Sequence, residues 1–365
     1  MSVILYKCPN CGGELVFDPS LQKYTCPYCQ SIFTQQEIDS YAVAGAQGRE
    51  EEDAQSGQPQ DESASQEHAK EEQSFEGAVY YSCPSCGAQI ITDATTAATF
   101  CYYCHNPVVL EGRLSGAFLP DQVLPFQIDR EKAVAMFREK IGKKWFVPRA
   151  FFNEEQIEKL TGIYYPYWVY SCRMDGQMEG TGTKVRVYMA GDREITETSI
   201  YGVARAGKIT FDHLTRNALK KTDRLLVENV QPFSLEGMQP FSMGYLSGFQ
   251  AEKRDMETDA FAGEVHKAVE GYASNVLRDS ISGYSTFTTS YKNFVTEEEH
   301  WKYVLLPVWV LTYAGAGGKI YYFAMNGQNG NVSGSFPINW GKLSAVSAMI
   351  FAVITVLGLL GGYLL

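Results

Sequence analysis

The chain reads as two small β-hairpin knuckle units joined by a disordered acidic linker, then an α+β domain with β-meanders and one C-terminal transmembrane helix. Three observations predict that fold class. Eight of the nine cysteines fall into four Cys-x-x-Cys pairs, and the pairs recur at one spacing. The net charge of −11 sits almost wholly between Glu37 and Glu76, where twelve acids face only Arg49 and Lys70. The last 23 residues, Leu343 to Leu365, carry no charge. The predicted division is 1–34, 35–78, 79–111, 112–340 and 343–365.

Composition bounds the answer before any motif does. With 365 residues, 45% hydrophobic and 20% charged, the chain can build two or three domains around buried cores. Aromatic residues reach 13% and suit pleated, half-buried surfaces. Wholesale disorder, a collagen and a many-helix membrane protein are excluded. An acidic chain also argues against a protein that coats nucleic acid.

Cys8, Cys11, Cys26 and Cys29 recur 75 positions later as Cys83, Cys86, Cys101 and Cys104. Both sets read C-x2-C-x14-C-x2-C, with Cys-Pro-Asn-Cys-Gly matched by Cys-Pro-Ser-Cys-Gly, so the pattern is an internal duplication. Two cysteines two residues apart form a knuckle whose tight turn aims both sulfurs at one ion, and Gly12 or Gly87 relieves the backbone just after it. Two knuckles supply the four soft ligands of tetrahedral Zn²⁺, and a hairpin in the fourteen-residue spacer brings them together. Residues 1–34 and 79–111 are therefore predicted zinc ribbons, with two Zn²⁺ per chain. Rubredoxin-type iron and paired redox disulfides are the alternatives on this spacing. Four ligands close the shell, so the metal would replace a core that about 30 residues cannot build. Thiolates kept for metal suit a reducing compartment. No basic or apolar leader precedes Cys8, so no signal peptide is expected.

Residues 35–78 are rich in Glu, Gln, Ser, Ala and Asp and poor in branched apolar side chains. Such a segment cannot offset its ordering entropy by burial and reads as a disordered, self-repelling linker. Marginal helix is conceivable only near Glu50–Asp53 or His68–Gln73. On this reading the linker, with a reach of roughly 35 Å, lets the first ribbon search the space beside the membrane while the second stays near the folded domain.

The body follows. Asp129 caps a short amphipathic helix with Ala133, Val134, Met136, Phe137 and Ile141 on one face. Asn153 followed by Gln156 marks another start, with Gly162 beyond its end. Strand patterns run from Tyr164 to about Phe211, where Val185, Val187 and Met189 alternate before the turn at Ala190-Gly191-Asp192. A long helix is predicted over about 255–281, its face formed by Phe261, Val265, Val269, Tyr272 and Val276 among others. Strands return from Tyr303 to Val332. Tyr-Tyr-Pro-Tyr-Trp-Val at 164–169 resembles Leu-Leu-Pro-Val-Trp-Val at 305–310, which suggests an internal repeat of two meanders as readily as two chance proline-led strands.

Leu343 to Leu365 would span roughly 34 Å as a helix, enough for a hydrocarbon core of about 30 Å. Trp340 and Lys342 precede it as an interfacial aromatic and a snorkelling cation. The basic, aromatic stretch Lys140 to Arg149, with Lys143, Lys144, Trp145 and Phe146, can touch anionic lipid or serve simply as solvated surface. Cytoplasmic N-terminal domains and a single-pass cell-membrane anchor are the predicted placement.

No catalytic residue emerges. Gly317-Gly318-Lys319-Ile320 lacks both the earlier glycine and the Ser or Thr of a phosphate loop. Gly180-Thr181-Gly182 lacks a third glycine and lies among strands. Cys172 sits in an apolar strand and reads as core. His105 adjoins a complete cysteine set, while His68, His213, His266 and His300 show no metal or triad spacing. The second ribbon has no Lys or Arg between Cys83 and Cys104, and a loaded four-thiolate site is net negative, so phosphate contacts are not provided.

With these pieces assembled, the chain resembles a bacterial family of Gram-positive organisms labelled TFIIB-type zinc ribbon-containing protein, in its YdjG-like form, and loosely "primosomal/helicase-related". The residues that carry the resemblance are Tyr6-Lys7-Cys8-Pro9, Val123-Leu124-Pro125-Phe126, Leu306-Pro307-Val308-Trp309 and the uncharged tail. The resemblance implies a membrane protein that recruits phage-shock and flotillin-like partners. A non-enzymatic, membrane-anchored zinc-ribbon adaptor is thus the expected function. A zinc-ribbon nucleic-acid accessory factor is the alternative, and a membrane-bound hydrolase or transferase a third.

Overall fold

The computed structural model describes residues 3–4, 6–41, 78–83, 89–101, 107–110, 113–220, 228–315 and 319–364. The linker expectation over 42–77, the options at Glu50–Asp53 and His68–Gln73, and the Gly317-Gly318 segment lie outside the described residues. The chain forms two compact units. The first comprises Met1–Pro166, Leu219–Lys253 and Leu305–Leu365, and the second Tyr167–Ala218 and Arg254–Val304.

In the first unit, β2 (Val16–Asp18), β3 (Lys23–Thr25) and β4 (Ile32–Phe33) make a three-stranded antiparallel sheet. A second hairpin pairs β5 (Ala78–Ser82) with β6 (Gln89–Asp93). The following strands, β7 (Thr96–Phe100) and β8 (Pro107–Leu110), enter the main sheet. There β1 (Val3–Ile4) pairs with β8, and β7 pairs with β13 (Gln250–Glu252), which runs parallel to Ile163 and Tyr164. The second cysteine unit is therefore woven into the body's sheet.

The first cysteine unit is also fixed, and here the structure corrects the expectation of a roaming ribbon. Phe17 and Tyr24 are 2% and 1% exposed because they pack on each other and on Tyr245. The Phe17 amide donates to the Ser247 carbonyl (3.1 Å), the Ser247 hydroxyl to the Leu15 carbonyl, and Gln22 Nε2 to the Phe126 carbonyl (2.7 Å). The physical reason is that two aromatic rings on so small a sheet cannot be buried by that sheet alone. Gly244 permits the approach: a Cβ there would lie 2.6 Å from the Tyr24 hydroxyl oxygen. The unit also continues past residue 34 as helix over 35–41, started by a capping box in which Thr34 and Glu37 bond reciprocally.

The helix Arg130–Gly142 forms as expected, with Asp129 Oδ1 accepting from the Lys132 amide at 2.8 Å and Ala133, Phe137 and Ile141 buried. Asn153 caps the short helix Glu154–Ile157 in the same way. Gly162 lies beyond that helix's end, as expected, at the start of β10 (Thr161–Ala190), where a Cβ would strike the Phe249 ring at 2.7 Å.

The second unit is built on the long antiparallel hairpin of β10 with β11 (Arg193–Asn217), turned at Gly191. Beside it run β14 (Thr286–Ala314), which begins well before the expected Tyr303, and the helix Asp259–Asp279. That helix buries Phe261, Val265, Val269, Ala273 and Leu277, a row every fourth residue. Tyr272 and Val276, expected on the same face, are about half exposed, at 52% and 50%. The two proline-led strands share one device: Trp168 Nε1 donates to the Met256 carbonyl and Trp309 Nε1 to that of Ile128. Their hairpins differ in length, since β14 continues into the seven-residue β15 (Ile320–Asn326) and then β16 (Val332–Gly334).

The last helix, Trp340–Leu364, starts earlier than the uncharged run because Asn339 Oδ1 caps the Lys342 amide (3.0 Å). Its stretch Trp340–Leu359 is long and apolar enough to cross a membrane, and none of its most apolar window is buried.

Candidate metal centre

Two turns with the same hydrogen-bond pattern build the first site. In the first, the Cys8 amide donates to the Gly13 carbonyl (2.6 Å) and the Gly12 amide back to the Cys8 carbonyl (2.9 Å). In the second, the Cys26 amide donates to Ser31 (2.9 Å) and the Gln30 amide to Cys26 (2.9 Å). The residue after each second cysteine turns left-handed, Gly12 at φ 73° and Gln30 at φ 59°. Glycine carries the first of these without steric cost, and Gln30 is an uncommon non-glycine in that region.

The turns bring the four sulfurs of Cys8, Cys11, Cys26 and Cys29 within 4.8 Å of one another. Cys8 Sγ lies 3.5 Å from Cys29 Sγ, and Cys11 Sγ 3.5 Å from Cys26 Sγ. A tetrahedral ion with metal–sulfur bonds of about 2.3 Å sets its sulfurs about 3.8 Å apart, so the set fits one such ion. Cys8 and Cys26 are buried and Cys11 and Cys29 exposed: the leading cysteine of each knuckle faces inward.

Without a metal, the thiols compete for protons. The Cys29 thiol is lowered to about 6, first by the Ser31 hydroxyl (3.2 Å) and then by the Ser31 backbone. Asn10 Nδ2 holds that hydroxyl at 2.9 Å. Cys11 is pushed up to about 12: a backbone hydrogen bond from Gly13 works to lower it, but the Cys29, Cys26 and Cys8 thiols together raise it. The two exposed thiols are thus pushed in opposite directions, Cys29 toward the thiolate that a metal takes and Cys11 away from it. Asn10 and Ser31 were not identified from spacing; the polar residue two after Cys29 is the sequence signal that points to them.

The second site is described in half. Cys83 follows β5 and Cys101 follows β7, and both are buried in one cluster with Tyr81, Val108 and Leu110. They are the leading cysteines of their knuckles, as Cys8 and Cys26 are. Cys86, Cys104 and His105 lie outside the described residues. Arg113 Nε donates to the Tyr81 hydroxyl at 2.6 Å, placing a buried guanidinium at this cluster.

The other candidates are not gathered into a site among the described residues. Cys172 is buried and its thiol is raised chiefly by that burial. His266 Nε2 and the hydroxyl of the buried Tyr170 both meet Glu299 Oε2, at 2.7 and 3.0 Å, within the second unit.

No family model matches the chain, and no solved structure matches it. It is 30% identical over 343 residues, 94% of this chain and 93% of the relative, to the "Uncharacterized protein YdjG" of Bacillus subtilis (strain 168). A relationship of that identity over nearly the whole length of both proteins shows the family: the chain belongs to the YdjG family.

Proposed function

We propose that the protein is a non-enzymatic, membrane-anchored adaptor in which two Zn²⁺ ions, one on Cys8, Cys11, Cys26 and Cys29 and the other on Cys83, Cys86, Cys101 and Cys104, hold a protein-binding surface. The four-thiolate shell supplies structural cross-linking and leaves no open coordination position for substrate. What carries the reading is the surface beside the first sulfur set, where Tyr28 is 68% and Ile32 51% exposed. Exposed aromatic and aliphatic groups on a metal-stiffened turn favour a protein partner. Phosphate recognition would want several cations there.

The helix Trp340–Leu364 serves as a single anchor, with the thiolates on the reducing, cytoplasmic side of the cell membrane. Docking of the first unit onto the body presents its surface at a fixed place, and membrane confinement raises the effective concentration of partners already there. Phage-shock and flotillin-like proteins are the partners this reading names. Full-length protein in mild detergent tests it. Co-purification of such a partner, lost in the Tyr28→Ser and Ile32→Ser variant that still binds two zinc ions, supports the adaptor. Submicromolar, salt-sensitive nucleic-acid binding, lost in Cys8→Ser or Cys83→Ser, overturns it.

A further inference from the structure

A groove of about 570 Å³ opens where the C-terminal helix leaves the folded body. One wall is the turn after the helix Arg130–Gly142, contributing Lys144, Trp145, Val147 and Arg149; the other is the first turns of the last helix, with Lys342 and Val346. The walls are tied together. The Asn339 amide donates to the Phe146 carbonyl at 2.7 Å, and Phe336 meets Phe151 edge-on, ring centres 5.8 Å apart.

Its charge is one-sided. No acid lines the groove, while Lys144, Arg149 and Lys342 do. Neighbouring cations are already engaged: Lys143 pairs with Glu139 at 2.8 Å, and Lys140 donates to the Gly330 carbonyl. Lys144 Nζ sits 4.8 Å over the Phe336 ring, and neither Arg149 nor Lys342 has an acidic partner among the described residues. Trp145, which lines the groove, is 77% exposed, and Trp340, at the start of the same last helix, is 72% exposed. Indoles left in that state, near three cations without an acidic partner among the described residues and an apolar helix, match the chemistry of a membrane interface.

We propose that this groove binds the phosphate headgroup of an anionic phospholipid, a site that rests on the reading of Trp340–Leu364 as a membrane anchor. The phosphate and its charge meet Lys144, Arg149 and Lys342. The acyl chains follow Val346 and the apolar helix surface beyond it, a path a free phosphate ion does not need. Trp145 lies at headgroup level and covers the glycerol region.

Full-length protein is reconstituted into phosphatidylcholine vesicles, with or without phosphatidylglycerol. Quenching by brominated forms of each lipid is compared between wild type and Trp145→Phe, which isolates the Trp145 signal. Wild type is expected to show Trp145 quenched at several-fold lower mole fraction of brominated phosphatidylglycerol than of brominated phosphatidylcholine. Each of Lys144→Gln, Arg149→Gln and Lys342→Gln should weaken that preference by about fivefold. Lys144→Arg with Lys342→Arg should keep it, which separates loss of charge from loss of fold. Equal quenching by both lipids, or unchanged preference in the triple Gln variant, overturns the site. Reversal by millimolar inorganic phosphate assigns the groove to a free anion and also overturns it. Failure to float with phosphatidylcholine vesicles refutes the anchor itself, whereas flotation without phosphatidylglycerol preference refutes only the lipid site.

Discussion

The backbone amide of Phe17 donates to the carbonyl of Ser247 at 3.1 Å, and the Ser247 hydroxyl returns a bond to the Leu15 carbonyl 232 positions away. This reciprocal pair joins the first cysteine unit to a loop of the body. Phe17 sits on β2, in the stretch of chain between the two knuckles, so the order of that strand depends on what holds the sulfurs together. A metal on these four sulfurs is therefore expected to be coupled to docking.

Protein purified without added metal should contain two zinc ions per chain; near-zero zinc, or iron in stoichiometric amount, would contradict the assignment. Stripping the metal should raise amide exchange over 8–33 and, through the Phe17–Ser247 contact, over 244–249. The helix Asp259–Asp279, in the other unit, should keep its protection. Exchange mass spectrometry reads all three regions at once. Opening of 8–33 with 244–249 unchanged would show that docking is independent of the ion.

A second expectation concerns the contact itself. Gly244→Ala places a methyl 2.6 Å from the buried Tyr24 hydroxyl, whose ring is too confined to swing away. Overpacking of this kind costs about 1–3 kcal/mol. In a Tyr24→Phe background the offending oxygen is gone, so part of the cost should return. A double-mutant cycle on thermal unfolding measures it. Strict additivity of the two substitutions would mean that the first unit does not sit on Gly244 in solution.

The cysteine frame was legible because thiolate coordination imposes a spacing that no other demand on the chain reproduces. The helices at Arg130 and Glu154 were legible through Asp129 and Asn153, whose side chains satisfy local amides. Docking of Phe17 and Tyr24 was not, since an aromatic residue in a 30-residue unit looks the same whether it fills that unit or covers a neighbour. Nor was β13, three residues that join β7 to β10. Such short, distant pairings leave no periodic trace. The half-exposed Tyr272 and Val276 show the converse: helical spacing alone gave too wide a buried face. At the metal site, Gln30 in a left-handed turn was hidden because the neighbouring knuckle uses glycine for the same conformation.

The capping box at Thr34 gives the first unit a pH dependence. Glu37 accepts from the Thr34 amide (2.7 Å) and hydroxyl (2.8 Å), and those bonds hold its carboxyl below the usual carboxylate range. A depressed carboxylate contributes stability that is present above its unfolded pKa and lost as pH falls through the folded one. Helix 35–41 should therefore be firm at neutral pH and fray in acid, below about pH 4. Glu37→Gln should flatten that dependence, and Thr34→Ala should cost about 1 kcal/mol at neutral pH. Exchange of the Glu37 and Ile38 amides against pH is the measurement. A flat profile in the wild type would exclude the box as a source of stability.

The final expectation separates the anchor from the body. No residue in the most apolar window of the last helix is buried, so nothing in the folded units should depend on it beyond its first turns. Ending the chain after Val346 keeps the Asn339 cap and the Lys342 side of the groove while removing the span. That truncated protein should be recovered without detergent, with unfolding unchanged within roughly 0.5 kcal/mol, as for surface changes generally. Ile354→Arg asks the same question without truncation. Ile354 is 63% exposed near the middle of the span, and an arginine there costs about 3 kcal/mol of insertion by translocon scales while leaving the body untouched. The variant should shift from the membrane fraction toward the soluble fraction of cells, with its zinc content intact. If the truncated chain instead loses zinc or its cooperative unfolding, the helix is a packed element of the fold. In that case the exposed apolar row from Met349 to Leu359 is covered by protein and not by lipid.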